Sequence, residues 1–486
     1  MNSKLKKFLS AGAFLLFFLC GLILLYHIFS WKDTSGDYFS SVNQMYSMKK
    51  NTVDVSFFGP SSYYTALNLA VFWEDCGIAS FNAAVSGQDR NASTYFIKEM
   101  LKSQSPKIVM VSATYLIVDH YAVQGNLLRN TLSLRGSLNA IELVRELVPE
   151  NGETSGDNGV KDYLLRWPIL HSRYRELKRE DFVSVRSNDN CLGYVYGDTA
   201  NVIEQFGPDS FDRSAVTPIS DDVRQWIDEL ASLGEQEGFQ LLVVSVPMEL
   251  GAQERASLNG CYAYLDEKGI PFLDMNYLLD EMDFQPSHDM TDGNHANTDG
   301  AIKISRYLAE YLSETFSLPD RREQRGYERY DACLRNYHHR LFVKNVLPYA
   351  DSMRLSDYID GTEGLIAAIN LKPGIPESAS AFAQLLLDDG VPGEELSRGG
   401  TWIVADGTVV CRPQPKQYGY AVNESEYLYV TPSGTPGFDS ISVGKTDYFT
   451  PFVEGCCVIT YDTVLEKIID VRKLGEETDD VVADFN

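Results

Sequence analysis

The sequence predicts an α/β protein in which helices cover a parallel sheet, with one apolar helix before it and a smaller β-rich α+β domain after it. Three observations predict this. From Thr52 to about Leu318, short apolar strands alternate with helical stretches. Strands such as Leu241-Leu242-Val243-Val244 are continuously apolar, which implies burial on both faces and hence a parallel sheet between helical layers. From about Ser356, apolar strands separated by Gly and Pro turns take over. A chain of 486 residues is too long for one ordinary domain.

The first element is the clearest. Lys4, Lys6 and Lys7 precede an uncharged apolar run from Phe8 to about Trp31, long enough to span a hydrocarbon core of ~30 Å. Lysines before the run and an acidic chain after it predict a cytoplasmic N-terminus with the bulk outside. No small-x-small cleavage site follows, so residues 1–31 are read as a retained signal anchor. Residues 32–51 form a polar tether.

Residues 52–318 hold the α/β domain. Its strand candidates are Val53–Phe58, Ile78–Asn82, Lys107–Ser112, Phe239–Pro247 and Ile270–Leu273. Helix candidates lie near Tyr63–Cys76, Thr94–Ser103, Asp221–Glu237, Gln253–Lys268 and Thr298–Phe316. An insertion over about 119–218 interrupts the alternation. It contains an amphipathic stretch, Leu134–Leu147, and an acidic loop, Glu150–Asp157. Its stretch Leu164–Phe182, with alternating Arg/Lys and Glu, is expected to be a solvated helix lying over the site as a lid. Residues 319–350 read as a helical linker, whose His338 and His339 are surface or packing histidines. Residues 351–486 read as the β-rich domain, ending in the acidic tail Glu476–Asp484.

A net charge of −26 argues against nucleic-acid binding, because phosphates would be repelled. A neutral or cationic small substrate, or a sugar polymer, suits that charge. The seven cysteines beyond Cys20 show no metal-ligand spacing; their number leaves room for one or two disulfides but a cysteine framework is not the basis of the fold, and adjacent Cys456 and Cys457 are read on opposite faces of a strand.

Chemistry concentrates in two stretches. In Val55-Ser56-Phe57-Phe58-Gly59-Pro60-Ser61-Ser62, a buried strand stops at Gly-Pro and a helix begins with a hydroxyl. Backbone N–H groups at a helix start would stabilise negative charge developing on an attacked carbonyl. An ordinary Ser N-cap is the competing reading of that stretch. In Asp292-Gly293-Asn294-His295-Ala296-Asn297, Asp and His three residues apart can hydrogen-bond, so that Asp292 fixes the tautomer of His295 and His295 takes the Ser61 proton. Two other readings of this loop stand: a metal site built from His288, Asp289, Asp292, His295 and Asp299, and a helix start capped by Asp292 or Asn294. No motif calls for a cofactor, and no metal is assigned.

Four stretches resemble the SGNH/GDSL-type hydrolases, specifically their membrane-anchored bacterial branch, akin to teichoic-acid D-alanyl transfer proteins and polysaccharide O-acetyltransferases. Phe58-Gly59-Pro60-Ser61 matches the nucleophile block, with Pro60 in place of the usual Asp or Ser, and Ser62 replaces a histidine often found next. Phe81-Asn82-Ala83-Ala84-Val85-Ser86-Gly87 matches the second block, whose glycine, Gly87 here, gives its N–H to the oxyanion. Leu164–Phe182, with His171-Ser172-Arg173-Tyr174 and Glu180-Asp181-Phe182, resembles a segment that recurs in this branch. Asp292-Gly293-Asn294-His295 with Asn297 and Gly300 matches the block that holds the Asp and His. In the third block an asparagine normally donates to the oxyanion. Val111-Ser112-Ala113-Thr114-Tyr115 lacks it, and Thr114 or Ser112 stands in its place.

The resemblance implies a flavodoxin-like parallel sheet and catalysis by Ser61, His295 and Asp292, with Gly87 and Thr114 at the oxyanion. It implies a serine esterase or O-acyltransferase working on an ester of a cell-envelope glycan or polymer, with an acyl-donor membrane protein as partner. The C-terminal part, through Gly364–Ile369, Gln384–Gly390 and Gly455–Asp470, resembles interleukin-like EMT inducer (PANDER-type) domains. The alternative of another class is an envelope scaffold, catalytically impaired by loss of the oxyanion Asn, that binds glycan or protein through its C-terminal domain.

Overall fold

Five parallel strands form the sheet of the first unit: β1 (Val55–Phe58), β2 (Ser80–Asn82), β3 (Ile108–Ser112), β4 (Gln240–Ser245) and β5 (Phe272–Asp274), in the order β2-β1-β3-β4-β5. This is the doubly wound order in which the chain changes direction between β1 and β3, and ligands bind beyond the strands' carboxyl ends at such a switch point. Ser61 lies three residues past the end of β1. The computed structural model describes residues 3–30, 44–117, 124–134, 136–148, 158–182, 191–197, 203–374, 379–423, 426–449, 456–474 and 479–481. Most of the expected tether, the acidic loop 150–157 and much of the acidic tail lie outside these. The chain divides into two units, Met1–Leu334 and Arg335–Asn486.

β1, β2 and β3 are completely buried and β4 is buried beyond its first residue, as their apolar runs require, while β5 at the sheet edge is half-buried. The stretch expected as one helix from Tyr63 to Cys76 starts earlier and breaks in two, Ser61–Ala66 and Leu69–Cys76. Asn68 causes the break: its side chain accepts from Ala70 N, and its own N–H goes to Ser305 Oγ. A short polar side chain that caps a new helix outcompetes continuation of the old one. Tyr63, fully buried, donates its hydroxyl to the carbonyls of Val111 and Val244, which moors the short helix behind Ser61 to the ends of β3 and β4.

After β5 the chain runs through a short helix, Pro286–Asp289, into a loop closed by a bridge between Met290 and Ala296. The helix that follows, Thr298–Thr315, is capped by Asn297, whose side chain accepts from Asp299 N and Gly300 N. Neither Asp292 nor Asn294 caps it. A Cβ on Gly300 would stand 2.1 Å from the Asp289 carbonyl oxygen, so this glycine is what lets the loop close on the helix. Gly300→Ala is therefore expected to displace the loop at a cost of about 1–3 kcal/mol, which thermal unfolding would measure.

In the insertion, Leu164–Phe182 is not one solvated helix. It is a helix Val160–Leu165, a turn Trp167–Leu170, a 3₁₀ turn His171–Arg175 and a short helix Arg179–Phe182. Arg166 takes a positive φ of 58° ahead of Pro168, and the buried pair Arg173–Asp181, 3.0 Å apart, folds the segment on itself. Charge alternation misled because two of the alternating charges are paired inside. Val144, Val148, Tyr163 and Ile169, with Leu127 and Leu128 against them, give the insertion its own small core.

Residues 319–334, the start of the expected linker, pack on the first unit: Arg321 holds Asp54 through two bonds of 2.8 Å, and Tyr330 stacks on Trp73 and donates to Thr52 O. The second unit contains a six-stranded and a four-stranded antiparallel sheet. Strands β6 (Leu365–Leu371), β7 (Gly400–Ala405), β8 (Thr408–Cys411), β13 (Cys456–Asp462), β14 (Lys467–Leu474) and β15 (Asp479–Val481) order as β15-β14-β13-β6-β7-β8. Strands β9 (Tyr418–Ala421), β10 (Tyr427–Thr431), β11 (Ser440–Val443) and β12 (Thr446–Phe449) form the other sheet. Side chains alternate across β6, with Ala367 and Ile369 facing the helices and Ile366 and Ala368 facing the second sheet. Cys456 and Cys457 divide the same way. No disulfide forms among them: all eight cysteines are free thiols. His339 is a packing residue, bonded to Asp462 at 2.7 Å and buried with it, while His338 is exposed.

Candidate active site

Two loops at the carboxyl edge of the sheet meet. Ser61 Oγ lies 2.7 Å from His295 Nε2, and His295 Nδ1 lies 2.8 and 2.9 Å from the two Asp292 oxygens. Ser61 and His295 stand 234 positions apart in the chain. Burial works against ionisation of Asp292, yet N–H bonds from Asn294 and His295 and the imidazole itself outweigh it and hold its carboxyl below the usual carboxylate range. An ionised carboxylate on Nδ1 keeps the proton there and leaves Nε2 as an acceptor facing the serine hydroxyl. A hydroxyl so placed can give its proton to the imidazole as it attacks a carbonyl.

The second loop runs alongside the first. Ala83 N donates to Phe57 O and Val85 N to Gly59 O, which brings Gly87 to the neighbourhood of Ser61. Gly87 has a φ of +62°, and a Cβ on it would meet the Asn126 carboxamide at 2.4 Å. Both the conformation and the space require glycine here. The helix Gln124–Ser133 clamps this turn: Asn130 Nδ2 donates to Gly87 O, and Arg129 donates to Ser86 Oγ and to Asn126 Oδ1. Because a guanidinium only donates, the Asn126 oxygen faces Arg129 and its NH₂ faces away.

Thr114 is placed differently from Gly87. It is buried, and its hydroxyl lies 2.6 Å from Ser112 Oγ. Ser112 in turn hydrogen-bonds the Tyr63 phenol, whose own proton goes to backbone carbonyls. Asn126 and Arg129 were not singled out from the sequence. Their signal is a polar i, i+3, i+4 stripe, Asn126, Arg129 and Asn130, on one helix of the insertion.

The five residues of the metal reading do not converge. Asp289 is turned to Lys303 and to Gln285 N, away from the Asp292–His295 pair. Among the described residues no group of His, Cys, Asp and Glu is arranged to hold a metal ion.

No family model matches the chain. No curated protein matches it either. Among the solved structures similar to it are two from Bacteroides. One, from Bacteroides fragilis and provisionally classed as an acylhydrolase, is 13% identical over 56% of this chain and 94% of its own, with a TM-score of 0.29. The other, a GDSL-like lipase from Bacteroides thetaiotaomicron, is 12% identical over 58% of this chain and 99% of its own, with a TM-score of 0.28. Likeness at that level decides nothing about this chain's chemistry, which rests on its own side chains.

Proposed function

We propose that this protein is a membrane-anchored serine acyl esterase or O-acyltransferase that acts outside the cytoplasm on an ester of a cell-envelope glycan or polymer. The observation that carries this reading is the hydrogen-bonded line from Ser61 through His295 to Asp292 at the sheet's carboxyl edge. Ser61 attacks the ester carbonyl while His295 takes its proton. The oxyanion formed is held by the N–H groups of Ser61 and Gly87 and by the Asn126 side-chain amide, in place of the missing third-block asparagine. His295 then protonates the departing alcohol, leaving an acyl-Ser61. Water or a sugar hydroxyl, deprotonated by His295, takes the acyl group and frees the serine. Asp292 orients the imidazole throughout and stabilises its charged form.

The location is supported by the one helix among the described residues that is long and apolar enough to cross a membrane, Ser3–Phe29, whose segment Ala11–Phe29 has a mean hydropathy of 2.3. Lys4, Lys6 and Lys7 ahead of it favour a cytoplasmic N-terminus.

Incubation with p-nitrophenyl acetate and rapid acid quench is expected to yield a peptide carrying one acetyl group on Ser61, and a soluble oligosaccharide acceptor is expected to shorten its lifetime if transfer is the reaction. Acetyl on any other residue, or none at all, would overturn the reading. Asn126→Ala is expected to lower kcat by about 10²–10³-fold with KM nearly unchanged, the cost of one oxyanion donor. Asn126→Asp, which keeps the shape but not the donor, should do no better in the same kinetics.

A further inference from the structure

The insertion exposes a run of large apolar side chains. Within residues 164–182, Leu165 is 70% exposed, Phe182 61%, Tyr174 57% and Trp167 41%. Side chains of this kind scattered singly need no explanation, but a set of four on one short segment does. The same segment grips the end of the apolar helix. The Trp167 ring lies 5.4 Å from that of Phe29, Arg173 donates to Phe29 O at 2.8 Å, and Arg166 donates to the Tyr26 hydroxyl at 3.3 Å. Its charge also departs from the rest of the chain. Residues 160–182 hold six Lys and Arg against four Asp and Glu, in a protein whose net charge is −26.

Those features belong together at one depth. A spanning helix leaves the hydrocarbon at its last turn, where Trp and Tyr rings are favoured because one end of each is apolar and the other wet. Basic side chains at that level reach lipid phosphates while their stems cover apolar surface. A segment bonded to the last turn of such a helix is held at the bilayer surface.

We propose that residues 164–182 lie in the interfacial layer of the bilayer that the N-terminal helix enters, with Leu165, Trp167, Tyr174 and Phe182 set among the upper acyl chains and Arg175 and Lys178 on lipid phosphates. This rests on the reading of Ser3–Phe29 as a membrane anchor. The partner is the lipid surface itself. One packed block then joins the bilayer to the candidate site, because the small core that includes Tyr163 and Ile169 also holds the helix 124–133, whose Asn126 lies on Gly87.

The test uses the full chain in vesicles of phosphatidylcholine and phosphatidylglycerol with brominated acyl chains, in a Trp31→Phe background that removes the tryptophan nearest the span. Trp73, Trp226 and Trp402 are buried in the protein, so lipid bromine should quench Trp167 alone. Adding Trp167→Phe is expected to abolish nearly all quenching, and Leu165→Glu with Phe182→Glu to reduce it severalfold at an unchanged melting temperature. A chain that fails to float with vesicles would overturn the anchor reading. A chain that floats but is quenched equally with and without Trp167 would overturn the inference alone. So would Leu165→Glu leaving quenching intact while dissociating a dimer, which would give this face to a second copy of the chain.

Discussion

Ser61→Ala is expected to lower kcat on p-nitrophenyl acetate by roughly 10⁴–10⁶-fold and to remove labelling by a fluorophosphonate, with the melting temperature close to that of the parent. The size follows from what the hydroxyl does. In the proposed reaction it is the atom that forms the acyl bond, so its loss leaves binding and the oxyanion donors. Little stability is at stake, because Ser61 is half-buried and its cap position is not used: Pro60 precedes the helix and no side chain caps it. An ordinary Ser N-cap would behave oppositely, with stability falling by about 1 kcal/mol and chemistry untouched. Equal labelling of parent and variant would return the fold to the scaffold reading, in which the C-terminal unit does the work.

Asp292→Asn is expected to cost about 10⁴-fold in kcat. The amide keeps the shape, but it offers the imidazole a donor on one side and favours the tautomer that puts a proton on Nε2, where Ser61 needs an acceptor. A stability measurement against pH separates this from misfolding. The Asp292 carboxyl is held below its ordinary range, so the folded chain binds its proton less readily than the unfolded one. Its contribution is present above the ordinary carboxylate pKa and is lost as pH falls through the lowered value. The side chain is 46% exposed, so solvent screens much of that contribution. The variant should therefore lose a small acid-side slope in stability and nearly all of its turnover. A large loss of stability at neutral pH would instead make Asp292 structural.

Much of the site was legible because short-range chemistry marked it. Gly-Pro after a β-rich run ends a strand, and a serine follows it; Asp and His three residues apart in a polar loop can bond whatever surrounds them. Asn126 was not legible. Its place against Gly87 depends on a helix of the insertion packing on a turn some 40 positions earlier in the chain, and nothing in the spacing of an insertion reports where its helices land. Leu164–Phe182 was misread for a related reason. Periodic charge looks the same whether it faces water or, as with Arg173 and Asp181, a partner inside. The cysteines follow the same rule, since composition counts thiols but only packing brings two of them to bonding distance.

By itself the sequence determined the parallel sheet, the apolar helix ahead of it and the β-rich part behind, since continuous apolar strands and a long uncharged run each have one inexpensive way to satisfy their backbone and bury their surface. It also named the hydroxyl, the imidazole and the carboxylate. Only the tertiary structure decided that Ser61 and His295 meet at 2.7 Å, that Asn126 packs against Gly87 while Thr114 is buried against Ser112, and that the insertion holds the end of the apolar helix. Each of these is a contact between segments far apart in the chain. Such contacts follow from how whole elements pack, which no local pattern of residues encodes.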